Sequence, residues 1–114
     1  PDRVVLDARS AGRFEGTAPE PREGLRGGHM PGSVSLPFTA LQDEGRMLPP
    51  DELRTRLVQA AGGRDRLVVS CGSGVTACVL ALGAELAGYR DIAVYDGSWS
   101  EWGLPSGRPV RTGR

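Results

Sequence analysis

Cys71 has the surroundings of a reactive residue, because it follows the apolar run 67–70 and begins the segment Cys-Gly-Ser-Gly-Val-Thr. Gly72 and Gly74 allow a tight curl with backbone N–H groups turned inward, and the helix expected to follow adds the positive partial charge of its N-terminus. A cysteine in such a ring of N–H groups should have a depressed pKa and be a thiolate, the nucleophilic form. The segment therefore predicts a cysteine nucleophile whose loop can hold an anionic substrate group or a charged sulfur adduct. The alternative is a small buried core cysteine.

Other side chains that could bind a metal or form disulfides are few. Cys78 falls inside a predicted helix and is expected in the core, with a redox partnership with Cys71 as the alternative. One histidine and two cysteines seven residues apart offer no zinc spacing, so we expect no metal and no organic cofactor. Two cysteines so close together also do not make the disulfide framework of a small secreted domain, which indicates a reduced, cytoplasmic protein.

The elements that must position Cys71 alternate between strands and helices. Short apolar runs predict strands at 3–6, 33–36, 67–70 and 92–95. One amphipathic helix is predicted between Pro49 and Gly62, and a second, ending at Gly88, is expected to bury one face. That face comprises Val75, Val79, Leu82 and Leu86. A brief helical turn is expected at 38–41. The alternation predicts an α/β domain with a mostly parallel sheet and a ligand site at the carboxyl ends of its strands.

Length and composition limit the function classes. The chain has 114 residues, enough for one compact domain, and its 14 basic residues, all arginine, balance 14 acidic ones. A neutral chain without lysine is a poor nonspecific binder of nucleic acid or membrane surfaces, and no apolar run could span a membrane. Glycine and proline are enriched, with 17 and 9 residues, and the connection 8–32 holds six of the glycines and three of the prolines. A connection that long is usually functional or disordered.

Five segments resemble the rhodanese family of sulfurtransferases, in particular its catalytic domain, over about residues 3 to 105. The cysteine loop has the form typical of 3-mercaptopyruvate sulfurtransferases, since thiosulfate-preferring members carry basic residues where this chain has Gly72 and Ser73. The other four segments are Asp7-Ala8-Arg9 with Gly12-Arg13-Phe14, Pro19-Glu20-Pro21-Arg22, Gly28-His29-Met30-Pro31-Gly32-Ser33, and Tyr95-Asp96-Gly97-Ser98-Trp99-Ser100-Glu101-Trp102.

The resemblance implies a three-layer α/β domain, with helices on both faces of the sheet, and a sulfurtransferase activity. Cys71 would take a sulfur atom from 3-mercaptopyruvate or thiosulfate as a persulfide. A thiol, cyanide or a thioredoxin-like protein would then accept that sulfur. Arg13 and Arg22 would bind the carboxylate and carbonyl oxygens of the substrate, which suits the forked guanidinium. Ser73 would belong to a relay that polarises the substrate.

Each of these roles has a plainer alternative. The two arginines could be solvated surface charges, and the Ser73 hydroxyl could only stabilise the turn. The remaining loop residues, Gly72, Gly74, Val75 and Thr76, would hold the persulfide, with Thr76 capping or bonding within the loop. We expect Asp7 to anchor the loop or a nearby arginine. His29 is expected to be structural and not a general base. Trp99 and Trp102 are expected to be core anchors.

The resemblance also implies a missing partner. Family enzymes of this type have two rhodanese-like domains with the active site between them. The chain begins with Pro1 and not with methionine. We therefore expect a catalytic domain at 1–105, a loosely attached tail at 106–114, and an N-terminal rhodanese-like domain absent from this chain. The isolated domain should form its persulfide slowly.

Three other functions are weighed against this interpretation. Dual-specificity phosphatases share the fold, but they need an arginine six residues after the cysteine, where this chain has Ala77, and their loop is one residue longer. A non-catalytic rhodanese-like module typically lacks the cysteine. A persulfide carrier that delivers sulfur to a protein partner shares Cys71 and differs only in its acceptor.

Overall fold

A computed structural model describes residues 3–21, 24–72, 76–95, 98–104 and 108–113. The strands are β1 (Arg3–Asp7), β2 (Val34–Ser35), β3 (Gln42–Asp43), β4 (Arg46–Met47), β5 (Arg66–Ser70) and β6 (Asp91–Val94). The helices are α1 (Ala11–Glu15), α2 (Pro50–Ala61), α3 (Ala77–Leu86) and α4 (Ser98–Trp102), with a 3₁₀ turn at Phe38–Leu41. The four predicted strands, both predicted helices and the turn are therefore present. No helix in the described ranges is long and apolar enough to cross a membrane.

Four strands form one parallel sheet in the order β2-β1-β5-β6. The register places Asp7 opposite both Ser35 and Ser70, so the carboxyl ends of the three neighbouring strands form one edge. β3 and β4 form a separate antiparallel hairpin. The predicted α/β fold is confirmed, and Cys71 follows directly from the end of a central strand.

The core lies between the sheet and the pair α2 and α3. Val4 and Leu6 alternate along β1 into this core, as Leu67 and Val69 do along β5, while α2 contributes leucines at one face. The buried residues of α2 are Leu53, Leu57 and Ala61. A Pro at the first turn starts this helix and Gly62, with φ +63°, ends it.

The predicted buried face of α3 is wrong. Leu82 and Leu86 are about half exposed, and the helix instead buries Ala77, Leu80, Gly83 and Ala84. Gly83 allows α3 to pack closely on the 3₁₀ turn, since a methyl group there would come within 2.8 Å of the Leu41 side chain. Cys78 is exposed and not in the core. Successive residues of a helix are rotated by about 100°, so Cys78 points away from the face on which Ala77 is buried.

Two further segments complete the described fold. The connection 8–32 contains α1, whose start is capped by the Ser10 hydroxyl, which accepts a hydrogen bond from the Arg13 N–H. Residues 108–113, within the tail expected to be loosely attached, form hydrogen bonds with the connection 8–32. Arg111 pairs with His29 in an antiparallel bridge, and Gly113 N–H donates to the Glu15 carbonyl at 2.7 Å.

Candidate active site

Cys71 is held by its backbone against the start of α4. Its N–H donates to the Ser98 Oγ at 3.0 Å, and its carbonyl accepts from the Trp99 N–H at 2.8 Å. The carbonyl of Gly72 accepts from the Ser100 N–H at 2.8 Å. Cys71 is 1% exposed and unlinked to another cysteine. A buried position is compatible with both a core cysteine and a nucleophile, so the groups that surround Cys71 must distinguish the two roles.

The middle of the cysteine loop, Ser73, Gly74 and Val75, lies outside the described residues. Thr76 occupies the N-cap position of α3, but its side chain makes no capping hydrogen bond. The predicted depression of the Cys71 pKa and the role of Ser73 stay predictions.

Ser98 organises the base of the loop and was missed as a site residue by sequence reasoning. Its buried hydroxyl donates to the Tyr95 carbonyl at 2.8 Å, accepts from the Cys71 N–H, and lies 3.4 Å from the Ser70 Oγ. The backbone of Ser98 has φ +48°, a left-handed conformation that is costly for a non-glycine residue. The only sequence signal was its place in the 95–102 motif.

Arg13 lies against Gly72, the second residue of the cysteine loop. A methyl group placed on Gly72 would come within 2.5 Å of the Arg13 Nη2, so the guanidinium occupies the space that glycine leaves open. The Arg13 side chain is 25% exposed and its Nη2 bonds Glu20 Oε1 at 2.9 Å. The structure thus brings Arg13 next to the residue that follows Cys71. Arg22, the other predicted substrate-binding arginine, lies outside the described residues.

A buried ionic network supports Arg13. Glu20, whose side chain is 1% exposed, accepts from Arg13 Nη2 at Oε1, and its Oε2 accepts from both Arg13 Nε at 3.3 Å and Arg9 Nη1 at 3.0 Å. Arg9 also donates from Nε and Nη2 to Asp7 and from Nη2 to the Gly28 carbonyl at 2.7 Å. Asp7 therefore contacts Arg9, one of the nearby arginines it was expected to anchor. Two carboxylates and two guanidinium groups balance in formal charge.

The aromatic and histidine side chains near the site have structural contacts. His29 is buried, its Nδ1–H donates to the Phe14 carbonyl at 2.7 Å, and its ring stacks on Phe14 with centroids 3.7 Å apart. Trp99 is buried, as predicted for a core anchor, and its Nε1–H donates to the Arg26 carbonyl. Trp102 is only half-buried, so the same prediction is wrong for it.

Tyr95, which follows β6, has a raised pKa. Its hydroxyl donates to the Glu101 carboxylate, and its ring meets Trp102 edge-on. Burial, together with the hydrogen bond to Glu101 and the negative charge of that carboxylate, raises the pKa of Tyr95 to about 12. The phenol is therefore neutral at ordinary pH. Within the described ranges, no three His, Cys, Asp or Glu side chains are grouped as metal ligands.

Comparisons with known proteins agree with this arrangement. The family model described as "Rhodanese-like domain" matches residues 1–104. The 3-mercaptopyruvate sulfurtransferase of Mus musculus is 53% identical over 100 residues, covering 86% of this chain and 34% of that protein. The mitochondrial thiosulfate/3-mercaptopyruvate sulfurtransferase 1 of Arabidopsis thaliana is 47% identical over 109 residues, covering 94% of this chain and 29% of that protein.

A solved structure shows the same fold. The crystal structure of the Tum1 protein from Saccharomyces cerevisiae superposes with a TM-score of 0.85 at 37% identity, covering 99% of this chain and 41% of that one. The chain spans about a third of the length of the curated relatives it matches.

Proposed function

This chain belongs to the family of rhodanese-like domains, and we propose that it is a sulfurtransferase domain that carries sulfur as a persulfide on Cys71. The donor is 3-mercaptopyruvate, and the acceptor is a thiol, cyanide or a thioredoxin-like protein. The position of Arg13 carries the proposal. A guanidinium group packs on Gly72, directly after a cysteine at the carboxyl end of a central strand.

The Arg13 guanidinium supplies what an anionic sulfur donor needs. It can pair with a carboxylate in a forked geometry, and its positive charge favours the thiolate of a neighbouring cysteine. Because Glu20 bonds the Nη2 and Nε atoms of Arg13, the side chain is held in one orientation before substrate arrives.

The proposed reaction transfers one sulfur atom in two displacements. The Cys71 thiolate attacks the thiol sulfur of 3-mercaptopyruvate, a sulfur–sulfur bond forms, and the bond between that sulfur and C3 breaks. The bonding electron pair goes to C3 as an enolate, which takes up the proton released from the substrate thiol and leaves as pyruvate. With thiosulfate the same attack would release sulfite. An acceptor nucleophile then attacks the outer sulfur of the persulfide and regenerates the Cys71 thiolate.

The remaining site residues complete the proposal. Arg22 shares the substrate oxygens with Arg13, and Ser73 polarises the substrate. The backbone of Gly72, Gly74, Val75 and Thr76 surrounds the persulfide sulfur with N–H groups. Asp7 holds the network through Arg9.

The choice of donor rests on the loop sequence. Gly72 and Ser73 leave no basic side chain after the cysteine, which favours the monoanionic 3-mercaptopyruvate over dianionic thiosulfate. The relatives include both kinds of enzyme, with a Gallus gallus thiosulfate sulfurtransferase 46% identical over 100 residues. An N-terminal rhodanese-like domain is proposed as the partner that completes the site, and the cytoplasm as the location.

The test compares two cysteine variants. Wild type mixed with 3-mercaptopyruvate should release pyruvate and gain the mass of one sulfur atom on the peptide that contains Cys71. Cys71→Ser should do neither. Cys78→Ser is the matched control, since that exposed thiol lies on α3, and it should behave as wild type. Activity retained by Cys71→Ser would sink the proposal.

A parallel assay addresses the donor. Pyruvate release from 3-mercaptopyruvate is compared with thiocyanate formation from thiosulfate and cyanide, under the same conditions. The first rate should exceed the second, and the reverse order would make thiosulfate the donor. Near full turnover by the isolated chain would contradict the need for a second domain.

A further inference from the structure

Residues 108–113, called the strap below, lie across the connection that carries Arg13. Arg111 of the strap and His29 of that connection each donate an N–H to the carbonyl of the other, at 2.8 Å in both directions. The rhodanese-like match ends at residue 104, so the strap lies beyond the part of the chain that it covers.

The strap holds α1 in two ways. Directly, the Gly113 N–H donates to the Glu15 carbonyl at 2.7 Å. Indirectly, His29 donates to the Phe14 carbonyl and stacks on its ring with an angle of 4° between the planes. Phe14 and Glu15 are the two residues that follow Arg13, so both contacts act on the helix that aims its guanidinium.

Gly28 in the connection 8–32 allows the strap to approach closely. Gly28 has φ +104°, and a methyl group there would lie 2.2 Å from the Arg111 carbonyl oxygen, which excludes any side chain. The Gly28 carbonyl in turn accepts from Arg9. Backbone that contacts the strap on one side therefore contacts the Arg9–Glu20–Arg13 network on the other.

The first half of the strap is anchored to α4 and to the same connection. Arg26 Nη1 donates to the Arg108 carbonyl at 3.0 Å, and Trp102 Nε1 donates to the Pro109 carbonyl at 2.8 Å. The strap is thus bonded at both ends and in its middle.

We propose that the strap is a positioning segment for the substrate-binding arginine: it holds α1 so that Arg13 stays against Gly72 of the cysteine loop. Its effect on substrate affinity rests on the proposed function, whereas its effect on Arg13 does not. Loosening it should weaken capture of an anionic substrate more than it lowers the reactivity of Cys71 toward neutral reagents, because a neutral reagent responds only to the thiolate content of Cys71.

The test uses a pair of variants at one position. Arg111→Pro removes the N–H that donates to His29, while Arg111→Ala keeps it and removes only the exposed side chain. Both are made in the Cys78→Ser background, so that Cys71 is the only thiol. The readout is the ratio of Cys71 alkylation rates with iodoacetate, an anion, and iodoacetamide, its neutral analogue. Arg13→Gln supplies the reference for a complete loss of the guanidinium.

Arg111→Pro should lower the ratio about fivefold, the effect of one unit charge a few ångströms away in water, and approach Arg13→Gln. Arg111→Ala should leave the ratio unchanged. The KM for 3-mercaptopyruvate should rise about tenfold in Arg111→Pro, with kcat within about twofold of wild type. The proposal would be overturned if folded Arg111→Pro kept the wild-type ratio. That result would follow if alkylation by the two reagents were unchanged or slowed by the same factor.

A second variant keeps the test decisive if Arg111→Pro does not fold. Trp102→Phe keeps an aromatic ring but removes the hydrogen bond to Pro109 at the other end of the strap, and should shift the ratio in the same direction by a smaller factor. An unchanged ratio in both folded variants also overturns the proposal. If wild type releases no pyruvate from 3-mercaptopyruvate, the proposed function fails, and the alkylation ratio still decides whether the strap positions Arg13.

Discussion

The Arg9 guanidinium lies 4.4 Å from the centre of the Trp99 ring. Both side chains are almost completely buried, and Trp99 donates its backbone N–H to the Cys71 carbonyl. Arg9 is therefore the point at which the ionic network beneath Arg13 meets the helix that holds the cysteine. A charge in this position is tolerated because Asp7, Glu20 and the aromatic face surround it.

Replacing Arg9 by methionine should strongly destabilise the domain. Met fills a similar volume but leaves Asp7 as a buried carboxylate without its charged partner and Glu20 with Arg13 alone, which costs about 3–5 kcal/mol. Urea unfolding measures the change. Arg66→Met is the control, because it breaks an exposed ion pair with Asp91 (3.1 Å) and should cost no more than about 1 kcal/mol. Equal losses in the two variants would contradict the importance of the buried network.

Adding a methyl group at Gly72 should displace Arg13 and weaken substrate binding. The group met at 2.5 Å is the far end of a flexible side chain, so Gly72→Ala should fold normally. The KM for 3-mercaptopyruvate should rise about fivefold through the lost guanidinium contact. In an Arg13→Gln background the same substitution should have no further effect, and independent, additive losses would mean that the two residues do not act together.

Two substitutions at Ser98 should separate the effect of its hydroxyl on persulfide formation from the effect of its backbone conformation on stability. Ser98→Ala and Ser98→Gly both lose the acceptor for the Cys71 N–H, so both should form persulfide about tenfold more slowly. Glycine accepts φ +48° without strain, so Ser98→Gly should be more stable than Ser98→Ala by about 1 kcal/mol. Thermal unfolding and pyruvate release measure the two effects.

Thr55→Ala is the control for this pair, because its exposed hydroxyl donates within α2, to the Asp51 carbonyl at 3.0 Å. Its rate should stay within about twofold of wild type. A wild-type rate in both Ser98 variants would show that the hydroxyl does not position Cys71.

Stability should fall at alkaline pH through Tyr95. Its pKa is about 12 in the folded chain against an ordinary 10.0, so the unfolded chain loses this proton first. The neutral phenol therefore contributes stability that is complete below pH 10 and is lost as the pH rises toward 12. Urea unfolding at a series of pH values should show this fall, and Tyr95→Phe should reduce it.

The chain has two tyrosines, which allows a direct check. In Tyr89→Phe, the absorbance of tyrosinate should rise only near pH 12, where Tyr95 ionises. A transition near the ordinary value of 10.0 would contradict the hydrogen bond to Glu101 as a cause of the raised pKa.

Sequence patterns predicted the strands and α2 well because their signals are strong. β5 is a continuous apolar run, and α2 has a Pro start, a Gly end and periodic leucines. The phase of α3 could not be obtained in the same way. Nearly every residue of Ala77–Leu86 is apolar, so several faces fit equally, and close packing at Gly83 against Leu41 selects one. α1 is five residues long, too short for a periodic signal.

The sequence by itself determined the order of strands and helices, the place of Cys71 at the end of a buried strand, and Arg13 and Arg22 as candidates. Such features are local, since an apolar run, a turn residue or a motif records them within a few positions. Only the tertiary structure decided what holds Cys71 and Arg13.

The contacts that hold these two residues join distant parts of the chain. Ser98 reaches Cys71 across 27 residues, Arg9 reaches Glu20 across 11, and Arg111 pairs with His29 from the far end. No local pattern encodes which distant groups will meet, because their meeting depends on the packing of the whole domain.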